Sequence, residues 1–322
     1  MGDSSHVIGQ SLIDAATVAY RTYLEEFFVS QDDSVANILA DTISPNGGTS
    51  VTLVVEDWLG VWLEFLGARE TSVSRAYSQN IPLRTWAQQM QIKRTQLTND
   101  SLGIVAQRFK RFLSAQSSYK DQLVFDALVS ASGAGPTGYD GVALGATTHP
   151  NGPSGNQSNL GTTALSQAVF QTAFAAQTSL QRENGEPFRV KPKYLIVGPD
   201  NRMIGMQITQ ADIRGQAVDN AGLESGTRIG TAGVTNVYNG AVELVVWPRL
   251  TGTYNDYFYL VGEGPGGAKP MVFVEWMTPK EQIDDQLSSP TVMATDRLTY
   301  GLIADGAAAA GAWQTIYVGK VA

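Results

Sequence analysis

Few residues in this sequence can do acid–base, nucleophilic or metal chemistry. There is no cysteine, and the two histidines are His6 and His149. Without cysteine there is no thiolate nucleophile, no disulfide and no cysteine-type zinc or iron–sulfur site. His149 precedes Pro150 in a glycine-rich stretch, and His6 lies near the N-terminus, where chains commonly fray. A Ser-His-Asp triad needs an imidazole that is oriented by a carboxylate and touches a hydroxyl, and we predict that neither histidine is catalytic.

Two other patterns can be compared with ligand sites. The glycine-rich run at 262–267 lacks both the dinucleotide-binding spacing and the lysine of a phosphate loop, so we interpret it as a turn between strands. Adjacent carboxylates occur without a twelve-residue calcium loop, so we interpret them as solvated surface charge. These pairs are Glu25/Glu26, Asp32/Asp33, Glu56/Asp57 and Asp284/Asp285. The sequence therefore predicts no cofactor, no metal site and no enzymatic activity.

The composition is that of a large folded protein. Its 322 residues exceed the roughly 250–300 at which one hydrophobic core stops growing, which predicts two cores or an elongated shape. Hydrophobic residues make up 43%, which excludes disorder as the main description, and charged residues only 16%. A net charge of −8 argues against a surface that holds nucleic acid by neutralising phosphates. We expect neither a secretory signal nor a membrane span.

The first 130 residues predict an amphipathic helix, a hairpin and a long helix. Apolar residues recur at three- and four-residue steps over 10–29, so this helix packs either on its own domain or on a neighbouring subunit. Residues 51–55 and 84–96 are interpreted as the two strands of an extended hairpin. Helical spacing over 102–131 predicts a helix of roughly 45 Å. Ser114, Ser117 and Ser118 are positions where that helix can kink.

The rest of the chain alternates glycine-rich loops with short helices and strands. Residues 133–161 predict a long surface loop, and residues 210–240 a mobile polar one. Helices are expected at 163–184 and 201–208, and strands at 194–197, 242–247, 257–261, 271–276, 292–303 and 313–318. We interpret the later strands as an antiparallel meander followed by a closing hairpin. A helix through 307–310 is the alternative there, because alanine favours helix.

Several segments resemble the major head subunits of Mu-like tailed bacteriophages. The segments are WLGVWLEFLGARE (58–70), AYSQNIPLRTWAQQMQIKRTQLTNDSLGI (76–104), LVFDALVSAS (123–132) and GYDGVALGATTHPNG (138–152). Residues 161–185, 191–201 and 296–320 look like later segments of the same family. Order and spacing match as well, so the resemblance covers most of the chain.

This resemblance implies the Hong Kong 97-like phage capsid fold, an α+β architecture. Its parts are an N-terminal arm, an extended β-hairpin loop, a peripheral domain with a long spine helix, and an axial domain. The implied boundaries are 1–48 for the arm, 49–97 for the extended loop, 98–184 with 270–322 for the peripheral domain, and 185–269 for the axial domain. The implied function is that of a major capsid protein, which assembles into the icosahedral head shell around the double-stranded DNA of a tailed phage.

The resemblance also implies partners and location. Copies of the chain would form pentamers and hexamers, with portal, scaffold and decoration proteins as further partners. Packaged DNA would touch the shell weakly and without sequence preference, which fits the net charge of −8. We expect the protein in the virion, after assembly in the host cytoplasm. The glycine-rich segments 133–161 and 210–240 would be joints that differ between the two kinds of ring.

Contacts between subunits are predicted for the extended loop and the apolar face of the first helix. Stable shells need interfaces of about 2,000 Å² or more, whose centres are rich in aromatic residues and arginine. The candidates are Leu12, Tyr20, Tyr23, Phe27, Trp58, Trp62, Arg69, Glu70, Tyr77, Arg84 and Trp86. Non-covalent contacts are favoured, although Lys93 near the loop raises the alternative of a covalent cross-link.

Three other functions are alternatives. An encapsulin-type bacterial compartment shares the fold and would co-purify with a cargo protein. A tail-tube protein lacks a long helix, so a continuous helix across 102–129 would argue against it. An enzyme such as a hydrolase would lose turnover on the substitution His149→Ala.

Overall fold

The computed structural model describes residues 4–29, 35–58, 74–98, 103–116, 118–217 and 231–321. Within these ranges the helices are α1 (Ser4–Val29), α2 (Val35–Leu39), α3 (Arg94–Thr98), α4 (Ile104–Gln116), α5 (Tyr119–Leu128), α6 (Ser130–Gly133), α7 (Gln167–Thr178), α8 (Arg202–Thr209) and α9 (Pro290–Thr295). The strands are β1 (Ala40–Ile43), β2 (Ser50–Trp58), β3 (Ser74–Pro82), β4 (Thr85–Lys93), β5 (His149–Pro150), β6 (Asn156–Gln157), β7 (Leu160–Gly161), β8 (Lys191–Val197), β9 (Ile213–Ala217), β10 (Thr231–Thr235), β11 (Glu243–Val246), β12 (Phe258–Glu263), β13 (Met271–Asp284), β14 (Arg297–Ala310) and β15 (Ile316–Gly319). The chain contains both helices and sheets, and most of the strand pairs are antiparallel, which is consistent with an α+β fold.

The chain divides into two compact units. Unit 1 comprises Met1–Leu53, Asn80–Asp126 and Val272–Ala309, and unit 2 comprises Val54–Gln79, Ala127–Met271 and Ala310–Ala322. Two cores were expected from the length. Residues 127–184 cluster with 185–269, whereas the resemblance assigns them to the peripheral domain. The correspondence between these units and the named domains of the capsid fold stays a prediction.

Unit 1 is built on a four-stranded sheet in the order β1-β13-β14-β4. Its core lies between this sheet and two helices. Among the α1 residues whose side chains the structure describes, Ile13, Thr17 and Tyr20 are buried and follow the spacing of one helical face. In the core, the Tyr20 ring lies 5.3 Å from that of Phe109 on α4 and 5.3 Å from that of Tyr300 on β14. Helix α1 therefore packs on its own unit, which is one of the two alternatives derived from its periodicity.

The predicted hairpin exists, but its second strand was wrong. Strand β2 pairs with β3, whereas β4 pairs antiparallel with β14 from Thr85↔Asp305 to Lys93↔Arg297. Strand β3 alternates in burial from Tyr77 to Ile81, with the polar Gln79 at an inward position. The hydrophobicity of the β3 residues therefore does not reveal the alternation of buried and exposed positions. Strand β4 pairs with a strand about 200 residues away in the sequence, because packing across the sheet, and not closeness along the chain, determines which strands pair.

The predicted long helix is divided into α4, α5 and α6. The interruption lies between Gln116 and Tyr119, next to Ser118, one of the three serines predicted to kink it. Serine side chains compete for backbone hydrogen bonds and disfavour helix interiors. Helix α5 starts with the amide of Gln122 donating to the carbonyl of Ser118 at 2.9 Å. The helical segment ends at Gly133, whose φ of 87° suits glycine, as the sequence predicts.

Unit 2 is built on a five-stranded sheet in the order β11-β8-β12-β15-β7. The predicted antiparallel meander was wrong, because β11 pairs parallel with β8 and not with β12, and β13 belongs to the sheet of unit 1. In the sheet, β8 lies between β11 and β12. Strand β12 pairs antiparallel with both β8 and β15. Helices α7 and α8 contribute Phe170, Ala173 and Ile208 to the core on this sheet.

The closing hairpin was also wrong, because β14 and β15 belong to different sheets. The alanine run 307–310 is nevertheless a strand, as favoured over helix. Ala307 and Ala309 are buried against Val272 and Val274. Helix propensity amounts to only about 0.7 kcal/mol or less per ordinary residue, so burial within a sheet overrides it.

Residues 210–240 were predicted to be an irregular polar loop. Instead β9 and β10 pair antiparallel, from Ile213↔Thr235 to Ala217↔Thr231, and residues 218–230 lie outside the described residues. The register places Gly215 opposite Gly233. Glycine has low strand propensity, which is why the sequence did not predict this ribbon.

Candidate assembly surface

Strand β4 forms one edge of the sheet in unit 1. Its inner side pairs with β14, and among the residues that the structure describes no strand pairs with its outer side. Only Ile92 is buried and Met90 half-buried, while the other seven side chains of the strand are exposed. An open edge presents a row of backbone donors and acceptors to another chain. The edge of β4 is therefore a surface on which a second polypeptide can pair.

Trp86 lies near the start of this edge strand and is 40% exposed. Its indole Nε1 donates a hydrogen bond to the carbonyl oxygen of Gly306 at 2.8 Å, and the amide of Gly306 donates to the carbonyl oxygen of Arg84 at 3.0 Å. The Thr85 hydroxyl donates to the Asp305 carboxylate at 2.6 Å. These bonds fix the indole while leaving part of its ring exposed. A held, partly exposed tryptophan is suited to anchor an interface.

A groove of about 150 Å³ opens beside Trp86, within unit 1. Its walls are side chains of β4, α5, β13 and β14, among them Trp86, Gln88, Tyr119, Leu123 and Leu302. The Tyr119 hydroxyl donates to the Glu275 carboxylate at 3.3 Å. Burial, and then the negative charge of Glu275, raise the pKa of Tyr119, so this phenol stays neutral at physiological pH. The groove is thus a mainly apolar recess with amide and phenol groups along it.

Hairpin β2–β3 carries the extended-loop candidates. Val51 and Leu53 pack against Ile81 and Val274, whereas Val54 on the opposite face is 54% exposed. The two strands pair only with each other among the described residues. A two-stranded ribbon is marginally stable unless a further surface covers it, so this hairpin is also suited to contact another chain.

Tyr77, on β3, is engaged within unit 2. Its hydroxyl donates to the buried carboxylate of Glu183, and its ring lies 5.6 Å from that of Tyr139. Tyr77 therefore has a partner inside the subunit. Trp58 ends β2, but its side chain lies outside the described residues, as do Trp62, Arg69 and Glu70 altogether.

The candidates on α1 divide between core and surface. Leu12 is 40% exposed, whereas Tyr20 is fully buried and donates its hydroxyl proton to the carbonyl of Gly301 at 3.3 Å. Burial, and then the charge of Glu281, raise the pKa of Tyr20. Tyr23 is half-buried, with the Lys110 ammonium 4.6 Å from its ring centre. The side chain of Phe27 lies outside the described residues.

Polar contacts also tie α1 to its own unit. The Arg21 guanidinium donates from Nε to both oxygens of Glu281 on β13, at 3.0 and 2.9 Å. The Thr17 hydroxyl donates to the Asp285 carboxylate at 2.7 Å. The bond to Glu281 raises the pKa of Arg21 further above its ordinary value. Helix α1 is therefore anchored through both apolar and charged contacts.

Comparison with known proteins shows to which family the chain belongs. A family model described as phage capsid protein matches residues 76–319, which is more than half of the chain. The chain belongs to the phage capsid protein family. No curated protein matches the sequence of this capsid protein.

Solved capsids share the fold of this capsid protein. A chain of the cyanophage P-SCSP1u capsid superposes with a TM-score of 0.57 at 12% identity, covering 90% of this chain and 88% of that chain. A chain of the bacteriophage JBD30 procapsid gives 0.51 at 16% identity, covering 96% and 75%. A chain of the JBD30 capsid decorated with minor capsid protein trimers gives 0.53 at 17% identity, covering 68% and 91%. The capsid protein therefore has the Hong Kong 97-like fold that the resemblance implied.

Family and fold together confirm the predicted function as a major capsid protein, a structural subunit of the phage head shell. This function is favoured over the compartment, tail-tube and enzyme alternatives. Among the described residues, no helix has the length and apolar character needed to span a membrane.

The structure unites only some of the predicted interface residues of the capsid protein. Arg84 and Trp86 lie together at the start of β4, while Tyr20 and Tyr77 have partners within their own units. Sequence reasoning missed Gly306, Tyr119 and Leu302, which complete the surface around Trp86. They come from distant segments of the chain, so no local pattern identifies them.

Proposed function

We propose that copies of this capsid protein join as pentamers and hexamers into an icosahedral head shell that encloses double-stranded DNA. The observation that carries this proposal is the open edge of β4 with the partly exposed Trp86 beside an apolar groove. A ring of identical subunits needs two different complementary surfaces on each subunit, so that the contact repeats until the ring closes. The β4 edge with its groove is proposed as one of these two surfaces.

The second surface is proposed to be the extended hairpin of a neighbouring copy. Hairpin β2–β3 presents Val54 to solvent, and the residues between its strands include Trp62, Arg69 and Glu70. An aromatic anchor seated in a recess is the kind of contact that dominates interface energy. Leu12 and Val18, both exposed on α1, are proposed as a further contact. Tyr20 and Tyr77 are not part of it, because their contacts are internal.

Finer features of the function rest on the resemblance. We infer that the chain belongs to the Mu-like branch of its family, that portal and scaffold proteins are partners of its shell, and that the shell assembles in the host cytoplasm. Decoration proteins are proposed as well, since the related JBD30 capsid carries minor capsid protein trimers. In the mature particle the protein is a component of the virion.

We also infer that the capsid protein is not an enzyme. His149 is fully buried, and its two ring nitrogens face Asp140 and Asn159. Neither nitrogen faces a hydroxyl that it could activate. This arrangement supports a structural role for the one histidine whose surroundings are described.

Electron microscopy and light scattering of the chain purified alone, near neutral pH, test the assembly proposal. Closed shells tens of nanometres across support it. If the chain stays monomeric, the same measurement is repeated with added scaffold and portal proteins. A chain that remains monomeric under both conditions would overturn the proposal.

A further inference from the structure

The glycine-rich segment 133–161 is not the surface loop that its composition predicts. It includes Leu144, His149, Asn151 and Asn159, all of which are buried. His149 has no exposed surface, and its ring stacks on the indole of Trp313 with 4.0 Å between centroids and 2° between planes. An ionisable side chain so completely buried requires a definite set of hydrogen-bond partners.

The orientation of the Asn159 amide is determined by its neighbours. Its Nδ2, which carries two hydrogens, lies within hydrogen-bond distance of three carbonyl oxygens, those of Leu144 at 2.8 Å, Trp313 at 3.0 Å and Ile316 at 3.1 Å. Its Oδ1 accepts from the amide of Ala146 at 2.9 Å. A flipped amide would place an oxygen against three oxygens and a nitrogen against a donor. Oδ1 therefore is the Asn159 atom that faces His149.

This orientation determines which atoms of His149 carry protons. Nε2 of His149 lies 3.0 Å from Oδ1 of Asn159, which can only accept, so Nε2 carries a proton. Nδ1 lies 2.5 Å from Oδ2 of Asp140, and this contact needs a further proton between the two atoms. The pair is then either imidazolium with carboxylate or neutral imidazole with carboxylic acid. Either form holds one shared proton and has no net charge.

The network connects the loop to the C-terminal strand. The amide of Val318 on β15 donates to the carbonyl of Asn159 at 2.8 Å, and the amide of Lys320 to that of Gly161 at 2.8 Å. A Cβ added at Gly145 would lie 2.8 Å from the Val318 side chain, so the backbone of the loop sits directly on the strand. The loop and β15 thus form one continuous structure within unit 2.

We propose that Asp140, His149 and Asn159 form a proton-dependent latch that holds segment 133–161 on β15, and that this segment moves with the sheet instead of acting as a joint. Removing the shared proton leaves two acceptors facing each other at Nδ1 and Oδ2. Adding one leaves two donors facing each other. Either change disrupts a buried hydrogen bond and releases the loop.

The ionisable surroundings of the latch are simple. Among the residues that the structure describes, Asp140 is the ionisable side chain that hydrogen-bonds to His149. The segment of Trp313 offers an aromatic ring and a backbone carbonyl, and β15 offers a carbonyl and an amide. The latch does not depend on how subunits contact one another, so it stands or fails independently of the proposed function.

The first test reads the protons directly. The chain has two histidines, so histidine-specific ¹⁵N labelling gives two imidazole spin systems, and the variant His6→Gln assigns them. We expect the His149 Nε2 signal to be that of a protonated nitrogen whose hydrogen exchanges slowly with solvent. An unprotonated Nε2, or one that exchanges as fast as a free imidazole, would overturn the latch.

The second test compares pH dependence in two variants by hydrogen–deuterium exchange. In the variant Asp140→Asn the amide can donate to Nδ1 of the neutral imidazole and has no acidic proton to lose, so the loop should stay seated toward alkaline pH. Toward acid pH, protonation of Nδ1 still brings two donors together and should release the loop. In the unmodified chain, exchange of segment 133–161 relative to 191–197 of the same sheet should rise about tenfold or more toward acid and alkaline pH. Asn159→Asp would place a carboxylate oxygen against the three carbonyl oxygens and should release the loop at every pH. An equal rise toward alkaline pH in the unmodified chain and in Asp140→Asn would contradict the proposal.

Discussion

The indole Nε1 of Trp86 donates to the carbonyl oxygen of Gly306 at 2.8 Å, which joins the edge strand β4 to the end of the β14 stretch that pairs with it. A Cβ at position 306 would lie 3.0 Å from the Phe273 ring, so the backbone passes very close to the core at this point. This hydrogen bond to the backbone adds to the partial burial of the ring in holding the tryptophan. Its exposed part is left for contact with another chain.

Tyr20→Ala should destabilise the subunit strongly. The side chain is fully buried between Phe109 and Tyr300, and removing a buried aromatic ring typically costs about 3–5 kcal/mol. Chemical denaturation of the unassembled subunit measures the free energy of unfolding. The matched control is Val18→Ala on the exposed face of the same helix, which should change it by about 0.5 kcal/mol or less. Equal, small effects of both substitutions would mean that α1 packs on a neighbouring subunit and not on its own unit.

Tyr259→Phe should leave the free energy of unfolding unchanged or raise it by about 1 kcal/mol. The Tyr259 hydroxyl is buried and has no hydrogen-bond partner in the part of the chain that the structure describes, so removing it relieves an unpaired polar group. Tyr77→Phe is the control in the same unit. It deletes a hydrogen bond to the Glu183 carboxylate and should lower the free energy by roughly 1.5–3 kcal/mol. The reverse order of the two effects would show that Tyr259 has a partner in solution.

The subunit should unfold at alkaline pH, with tyrosine ionisation as the cause. Burial raises the pKa of Tyr20, Tyr119, Tyr259 and Tyr300. The folded chain then holds these protons more tightly than the unfolded chain, whose tyrosines titrate near about 10. Their contribution to stability is therefore complete below about pH 10 and is lost as pH rises beyond it. Absorbance at tyrosinate wavelengths should rise in two stages, the second together with loss of circular dichroism. A single reversible stage with the fold intact would contradict this.

Helices and strands with a strong hydrophobic periodicity were predictable from the sequence, whereas the strands with which they pair were not. The apolar spacing of α1 and α4 and the alternation of β4 identify these elements from neighbouring residues alone. Which strand β4 joins depends on residues about 200 positions away, so the predicted hairpin partner was wrong. The polar inward residue Gln79 concealed β3, and the pairing of Gly215 with Gly233 concealed β9 and β10.

The assembly surface and the surroundings of His149 were likewise predictable only in part. Trp86 was predicted from its type and from the resemblance, but the groove beside it requires Tyr119, Leu123 and Leu302, which no short motif unites. Glycine-rich composition suggested that His149 lies on the surface. Its burial depends on Trp313, more than 160 residues later, so only the folded chain reveals it.

The claim that the β4 edge joins neighbouring copies is tested most directly by light scattering of Trp86→Ala during assembly. The control is Met293→Ala in the same unit, which removes an exposed apolar side chain away from the groove. We expect Trp86→Ala, and Arg69→Glu in the extended loop, to lower the yield of shells at least about tenfold, as loss of an interface anchor worth roughly 2 kcal/mol would. Subunit stability should change little in comparison, and Met293→Ala should assemble normally. Normal shell yield from Trp86→Ala would contradict this account.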